Sequence, residues 1–271
     1  MSAPTTERPT TPGRYGVTAV IASEWIKFRS VRSTTWSLVV TAVLGVGLGA
    51  IVTSARASHF GNGPGGSFGF DPTRASLAGV FLAQLAIGVL GVLVMSAEYS
   101  TGTIHDTFSA VPRRLWVMGA KALVFSVVTF VVGEVVAFAS FFVGQSILTG
   151  KTPTASISDP SSLRAVLSTG LYLVLLGLIA LGIATIVRHT AAAISTFVGT
   201  LFVLPIIAAL LPAQLSSDIG RFLPAEIGRT ILSTGPSLSG DFGPWVGVGL
   251  LGLYAAAILT TGAVLLVRRD A

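Results

Sequence analysis

The chain has 271 residues, of which 52% are hydrophobic and only 10% are charged, with a net charge of +6 and no cysteine. The lack of cysteine excludes a disulfide framework, a thiolate nucleophile and a cysteine-based metal site. No link between the apolar stretches is long enough to fold as an independent soluble domain. Composition therefore favours a single membrane-embedded unit.

The first predicted element is a polar segment rich in proline and threonine, residues 1–16, which is typical of a disordered tail. It lacks the apolar region and cleavage site of a signal peptide. Residues 17–34 follow with apolar side chains at helical spacing beside a basic cluster, a pattern that favours a helix lying in the membrane interface. An N-terminal extension of the first span is the alternative. The residues assigned to the interfacial helix are Glu24, Trp25, Lys27 and Arg32.

Six long apolar runs occupy most of the chain after residue 35. Each approaches or exceeds the roughly 20 helical residues that a hydrocarbon core of about 30 Å requires. Lipid offers no hydrogen-bond partners, so each run must satisfy its backbone internally, as a helix does. The sequence predicts an all-α membrane protein with six transmembrane helices and an N-terminal amphipathic interfacial helix, folded as one domain over 17–271. The predicted spans are 35–54, 76–97, 121–148, 163–187, 190–211 and 244–267.

The placement of basic residues predicts the orientation of the chain. With six spans, eleven of the 17 lysines and arginines fall on the side that holds both termini, and the other six fall on the opposite side. Arg268 and Arg269 directly follow the last run, and Lys27, Arg29 and Arg32 precede the first. The positive-inside rule then places both termini in the cytoplasm, in the inner membrane. This placement explains the basic balance better than a nucleic-acid partner does.

Two of the links are long enough to carry structure. Residues 98–120 form the longest inner link, and their polar pattern predicts a short helix that Pro112 ends. Residues 212–243 form an outer link with a weakly amphipathic stretch at 219–232. By contrast, only Arg188 and His189 separate the fourth and fifth spans, which predicts a tight helical hairpin.

The sequence shows little sign of catalytic chemistry. The three histidines lie in separate links without the paired spacing of metal ligands. Gly150-Lys151-Thr152 resembles the end of a phosphate-binding loop, but Gln145 stands where that loop requires its first glycine. We therefore expect no enzyme activity and no nucleotide site on this chain, so that any ATP would be bound by another chain.

Glu134 is the one acidic residue in the middle of a predicted span. A charge at that depth costs about 2.5–3.5 kcal/mol on insertion scales, so it should face the bundle interior or a wet cavity, or stay protonated. Two interpretations remain open: a substrate-pathway or gating group, and a protonated side chain that bonds a neighbouring helix. Gln84 and Gln145 are weaker intramembrane candidates.

Small residues and one proline suggest where the helices pack closely or bend. Gly45 and Gly49 form a GxxxG pair in the first span, which permits close helix approach without identifying a dimer face. Pro205, in the middle of the fifth span, removes a backbone donor and predicts a kink there.

Three stretches together carry a resemblance to a known family. They are the opening SEWIKFRSVRSTTW with Glu24, Lys27 and Arg32; the link EYSTGTIHDTFSAVPRRLWVMGAK with Glu98, Tyr99, Gly102-Thr103, Pro112-Arg113-Arg114 and Lys121; and Phe222 to Pro224 before a short outer helix. This arrangement resembles permease subunits of ATP-binding-cassette exporters, the type-2 ABC membrane family common in actinobacteria, over nearly the whole chain from Val20.

The resemblance implies that this chain forms a translocation path and that a separate ATPase subunit binds ATP and magnesium. It also implies a second permease copy, identical or related. The coupling segment that would dock on the ATPase comprises Glu98, Tyr99, Gly102, Thr103, His105 and Asp106. The chain departs from the family pattern at His105, where a basic residue is expected, and at Glu226, where an uncharged one is expected.

Two other functions remain open from the sequence. Glu134 would be the proton site of a secondary transporter, although no broken helices appear in corresponding halves of the chain. Alternatively, the chain would be a membrane scaffold or sensor partner that transports nothing. The export direction and the drug-like or amphipathic cargo come from the resemblance alone.

Overall fold

The computed structural model describes residues 16–61, 69–235 and 242–268, and this part of the chain is helical, without strands. The predicted tail lies outside the described residues except for Gly16. Six helices are long and apolar enough to cross a membrane. They are α2 (Arg32–Ser58), α4 (Val80–Ser100), α6 (Arg114–Leu148), α7 (Pro160–Val187), α8 (Thr190–Ala209) and α11 (Pro244–Arg268).

Five shorter helices complete the described fold. They are α1 (Val17–Ser30), α3 (Pro72–Ser76), α5 (Thr103–Ala110), α9 (Ala213–Gly220) and α10 (Pro224–Ile231). The six predicted spans are confirmed, with shifted ends. The third begins at Arg114 rather than at residue 121, because the helix restarts as soon as Pro112 is passed. The amphipathic stretch 219–232 is divided between the end of α9 and α10, because Pro224 starts a new helix.

Local sequence signals set several helix ends. Asp71 caps α3 by accepting a hydrogen bond from the backbone N–H of Arg74 (3.0 Å), and Pro72 occupies the first turn. Gly102 adopts a left-handed conformation (φ 74°) between α4 and α5, a conformation that glycine adopts without a steric penalty. Arg188, also left-handed (φ 58°), ends α7 directly before His189 caps α8, which confirms the predicted hairpin.

Helix α7 is the centre of the bundle and packs against α4, α6 and α11. Buried residues make up 67% of its most apolar stretch and 56% of that of α4, against 22% for α2, α8 and α11. Those three helices thus leave most of their apolar surface uncovered by their own chain. Such surface suits contact with lipid or with another membrane helix.

Two spans contain π-helical turns, at Val43–Leu48 in α2 and at Gly199–Val203 in α8. The second ends two residues before Pro205, which lacks a backbone donor. The structure thus has a widened helical turn next to the residue at which the sequence predicts a kink. The glycine pair in α2 packs within the chain. A Cβ at Gly45 would meet Val136, and one at Gly49 would lie 2.8 Å from the carbonyl oxygen of Ser76.

The two ends of the bundle differ in what they carry. At one end α1 packs on α6, and the Arg114 side chain donates to the carbonyl oxygen of Leu266 near the end of α11 (2.9 Å). We call this end, with α5, the terminal face. The opposite end carries α3, α9 and α10, and we call it the loop face.

The apolar spacing of α1 suggests that Val17 and Trp25 face the bundle, but the structure buries a different side of the helix. Val20 and Glu24 are buried, whereas Val17 and Trp25 are about half exposed (47% and 48%). A break at Val31, which has an extended backbone, separates α1 from α2. The helix predicted at 17–34 is therefore confirmed as a separate element that ends at Ser30, and its placement in a membrane interface stays a prediction.

The closest backbone contact in the bundle yields a stability prediction. A Cβ at Gly79 would overlap the backbone of Gly45 and Gly49, and backbone atoms cannot move aside as a flexible side chain can. We expect Gly79→Ala to destabilise the protein by about 1–3 kcal/mol, the usual cost of overpacking. Thermal melting of the purified protein in detergent measures the change.

The matched control is Gly47→Ala, because no atom lies within 4 Å of a Cβ at that position in the same span. It should melt like the wild type. Equal melting temperatures for the two variants would contradict the close approach of α2 to the residues that precede α4.

Candidate functional site

A buried cluster of four charged side chains lies at the terminal face. We call it the charge cluster, and it consists of Glu24 and Lys27 from α1, Glu98 from the end of α4 and Lys121 from the start of α6. The four residues are far apart in the sequence and meet because α1 folds back across the ends of the two spans. The cluster is electrically balanced, with two carboxylates and two ammonium groups.

Each lysine of the charge cluster bridges both carboxylates. The Lys121 Nζ lies 2.6 Å from Glu24 Oε2 and 2.9 Å from Glu98 Oε1. The Lys27 Nζ lies 3.0 Å from Glu24 Oε1 and 3.0 Å from the same Glu98 oxygen. The second oxygen, Glu98 Oε2, is buried and has no hydrogen-bond partner among the described residues. The cluster therefore has one acceptor to spare.

Burial makes the charge cluster sensitive to the loss of a member. Glu24 and Lys121 are almost inaccessible, with 3% and 4% exposure, whereas the Lys27 side chain is 42% exposed. Burial by itself lowers the pKa of Lys27, but the carboxylates of Glu24 and Glu98 outweigh it and hold that pKa above its ordinary value. Against the opposing effect of its burial, the two lysines likewise lower the pKa of Glu98.

Helix α5 is attached to the charge cluster and to the bundle by its inner side. Lys27 Nζ also donates to the hydroxyl of Thr107 (3.1 Å), while Ile104 and Phe108 are buried one helical turn apart. Its other side is open: Thr103, His105 and Asp106 are exposed. Helix α5 therefore packs on the bundle through one side and exposes polar side chains on the other.

Arginines extend these attachments across the terminal face. The Arg114 guanidinium lies 5.2 Å from the ring centre of Phe108, besides its bond to α11. Arg188, in the hairpin between α7 and α8, lies 5.3 Å from the ring centre of Tyr99. Arg114 thus links α6 to α5 and α11, and Arg188 links the α7–α8 hairpin to α4.

The predicted coupling residues divide into two groups. Glu98 and Tyr99 face inward, into the charge cluster and towards Arg188, and Gly102 supplies the left-handed link. Thr103, His105 and Asp106 are the ones left accessible to another protein. Of the interfacial residues, Glu24 and Lys27 belong to the charge cluster, whereas Trp25 and Arg32 are exposed. Sequence analysis named all four cluster members without indicating that they touch, because no spacing rule relates residues of different helices.

Glu134 lies away from the charge cluster, between α6 and α7. Its carboxyl group packs against Gly170, where a Cβ would collide with it. Both carboxyl oxygens are buried and without a hydrogen-bond partner among the described residues. The predicted companions lie elsewhere: Gln84 bonds Tyr172, and Gln145 bonds Ser76 and the backbone of Ala155. In the described ranges, no three histidine, cysteine or acidic side chains come together as a metal site.

The six apolar helices suggest a multi-pass membrane protein. Neither a protein-family model nor a curated protein matches the chain. Its function must therefore be inferred from the charge cluster and from the sequence resemblance.

The burial of the charge cluster predicts what loss of its central lysine does. Lys121→Met leaves two buried carboxylates facing each other with only the half-exposed Lys27 between them. We expect a loss of about 3–5 kcal/mol, the range found when one partner of a buried ion pair is removed. Denaturant or thermal unfolding of the purified protein, followed by helical circular dichroism, provides the measurement.

Lys151→Met serves as the control, because Lys151 is an exposed lysine on the loop face. The triple variant Glu24→Gln, Glu98→Gln, Lys121→Met should recover part of the lost stability by removing the unpaired charges. If Lys121→Met unfolds no earlier than Lys151→Met, the cluster does not hold the terminal face together.

Proposed function

We propose that this protein is the membrane-spanning permease subunit of an ATP-binding-cassette exporter. The observation that carries the proposal is the charge cluster, which fastens α1, α4, α5 and α6 to one another. A force applied to α5 would thus move the ends of two membrane spans together. Transmission of that kind is what a transport subunit without its own nucleotide site requires.

The path of the force follows from the contacts. Helix α5 would receive it through its exposed residues Thr103, His105 and Asp106, and would pass it to Lys27 through Thr107. The charge cluster then connects the push to α4 and α6, and both of these helices pack on the central α7. Each ammonium group touches both carboxylates, so the loss of one contact leaves the helices joined by the others.

The partners follow from the same proposal. An ATPase subunit would bind ATP and magnesium and dock on α5, and a second permease copy would cover part of the apolar surface that α2, α8 and α11 leave open. The lipid bilayer would cover the rest, and nucleic acid has no part in the proposal. The terminal face would lie in the cytoplasm, where its exposed basic residues Arg29, Arg32 and Arg113 suit an anionic lipid surface.

Docking on α5 leads to a direct test. Asp106→Arg reverses the charge of an exposed side chain that makes no hydrogen bond or ion pair among the described residues, so the fold should be unaffected. We expect at least a tenfold loss of ATPase subunit recovered when the tagged protein is purified from its native membranes, because like charges across a docking surface cost several kcal/mol. Quantitative mass spectrometry of the eluate measures the recovery.

The matched control is Asp218→Arg, an exposed acidic position on the loop face whose one ion pair among the described residues is with Arg221, at 3.7 Å. It should co-purify with as much ATPase as the wild type. Absence of any ATPase from the wild-type eluate, with no transport in vesicles, would contradict the proposal and favour a scaffold or sensor role.

Glu134 favours one second candidate, a proton-coupled secondary transporter. Its carboxyl group has no hydrogen-bond partner among the described residues, and an unpaired ionisable group in a membrane span is a common feature of proton pathways. In this case transport in vesicles would follow a proton gradient without ATP.

The variant that separates the two candidates is Glu134→Gln, which keeps the size of the side chain and removes its charge. Under the permease proposal, transport should still require ATP and should not follow a proton gradient alone, because the partner ATPase supplies the energy. Under proton coupling, gradient-driven transport should be abolished. Vesicle uptake measured with ATP alone and with a proton gradient alone decides between them.

A further inference from the structure

A second polar site lies at the opposite end of the molecule, in a cavity of about 480 Å³ between α2, α3, α4, α8 and α10. Its volume is in the range of small-molecule sites. Most of its wall is apolar, and Phe81 and Phe202 meet edge to face across it with ring centres 5.3 Å apart. The apolar wall is formed chiefly by Leu77, Val80, Phe81, Leu201, Phe202 and Ile206.

Three arginines from three different helices line this cavity: Arg56 at the end of α2, Arg74 in α3 and Arg229 in α10. Arg229 is paired with Glu226, at 2.9 and 3.0 Å from its two carboxyl oxygens. The guanidinium groups of Arg56 and Arg74 have no ion pair or hydrogen bond among the described residues. The lining therefore carries three positive charges and one negative charge.

The arginines are close enough to repel one another. The pKa of Arg74 lies below its ordinary value, first because the side chain is half-buried and then because Arg229 and Arg56 are near. Asp71, which raises that pKa, already accepts hydrogen bonds from the backbone N–H and the hydroxyl of Thr234 (2.6 and 2.9 Å). An excess of positive charge remains at this end of the cavity.

The backbone that carries Arg74 is held in place. Beyond the contacts of Asp71, the hydroxyl of Thr53 donates to the carbonyl oxygen of Ala75 (2.9 Å), and Thr73 bonds Ser162 (3.1 Å). The backbone at Arg74 is therefore fixed close to its like-charged neighbours. Like charges held together by other contacts are typical of a site that gains stability when an anion binds.

Gln84 adds an independent observation deeper in the cavity. The side chain is buried (1% exposed), and its carbonyl oxygen accepts a hydrogen bond of 2.5 Å from the hydroxyl of Tyr172. Its amide nitrogen is buried without a partner among the described residues. An unpaired buried donor is unfavourable, and an acceptor on a bound molecule would remove that cost.

From this arrangement we infer that the cavity binds an amphiphilic anion. Its carboxylate or phosphate head pairs with Arg56 and Arg74, its apolar body lies against Phe81 and Phe202, and an oxygen of the ligand accepts from Gln84. Both carboxyl oxygens of Glu226 accept from one terminal nitrogen of Arg229, and the negative charge of Glu226 limits the excess positive charge of the site.

Binding at this site does not depend on the permease proposal. If that proposal holds, the inference names the class of molecule that the exporter releases on the loop face. If it fails, the site is a regulatory or structural site for the same class of molecule.

Photolabelling of the full chain, purified into phosphatidylcholine nanodiscs without any ATPase, tests the inference. The probe is a long-chain fatty acid with a diazirine in its tail, and the comparison probe is the corresponding fatty alcohol. Peptide mapping should locate the acid on α4, α8 or α10, with at least tenfold less labelling by the alcohol. Arg56→Gln and Arg74→Gln should each lower labelling by the acid about tenfold, because each removes a charge-assisted contact.

Lys151→Gln is the matched control, since it removes one positive charge from the loop face outside the cavity, and it should label like the wild type. Arg74→Gln should also melt no lower than the wild type when no ligand is present, since it relieves repulsion. A purely structural role for Arg74 predicts a lower melting temperature instead.

Competition identifies the source of the anion. Loss of labelling in nanodiscs that contain phosphatidylglycerol would assign the site to a lipid headgroup, and unchanged labelling would assign it to a smaller acid; both results support an amphiphilic anion. Equal labelling by acid and alcohol, or equal labelling of the arginine variants and the wild type, would overturn the inference. Neither result would bear on recovery of the ATPase through α5.

Discussion

The structure depends most on the burial of four charges at one end of a bundle that is otherwise apolar. Taking such groups out of water costs several kcal/mol per ion, and only short contacts with opposite charges repay it. Here each lysine meets both carboxylates within 3.0 Å, so removal of any one contact leaves a charge poorly compensated. These contacts join the ends of α1, α4 and α6.

The two ends of the bundle use charge in opposite ways. At the terminal face the charge cluster is electrically balanced, and three of its four side chains are buried. At the loop face Arg56, Arg74 and Arg229 face only one carboxylate across a cavity, which favours binding of an anion. The central α7 packs against the spans between these ends.

Much of the architecture followed from local patterns in the sequence. The six apolar runs identified the spans, and Pro112 and the Arg188-His189 pair marked breaks that the structure confirms. The predicted start of the third span was wrong and the division of 219–232 was not foreseen, because a proline decides where a helix restarts more strongly than hydropathy does. Glu134 was singled out correctly as an acidic residue within a span, but its lack of a partner among the described residues depends on how α6 meets α7.

The sequence by itself indicated a membrane environment, six spans and the residues from which a site could be built. These follow from hydrophobic length and charge, which are properties of short stretches of chain. Only the tertiary structure decided that Glu24, Lys27, Glu98 and Lys121 form one cluster and that three arginines share a cavity. Contacts between helices depend on the rotation and crossing of each helix, which many weak packing interactions set together. The spacing of residues along the chain therefore does not predict which residues of different helices touch.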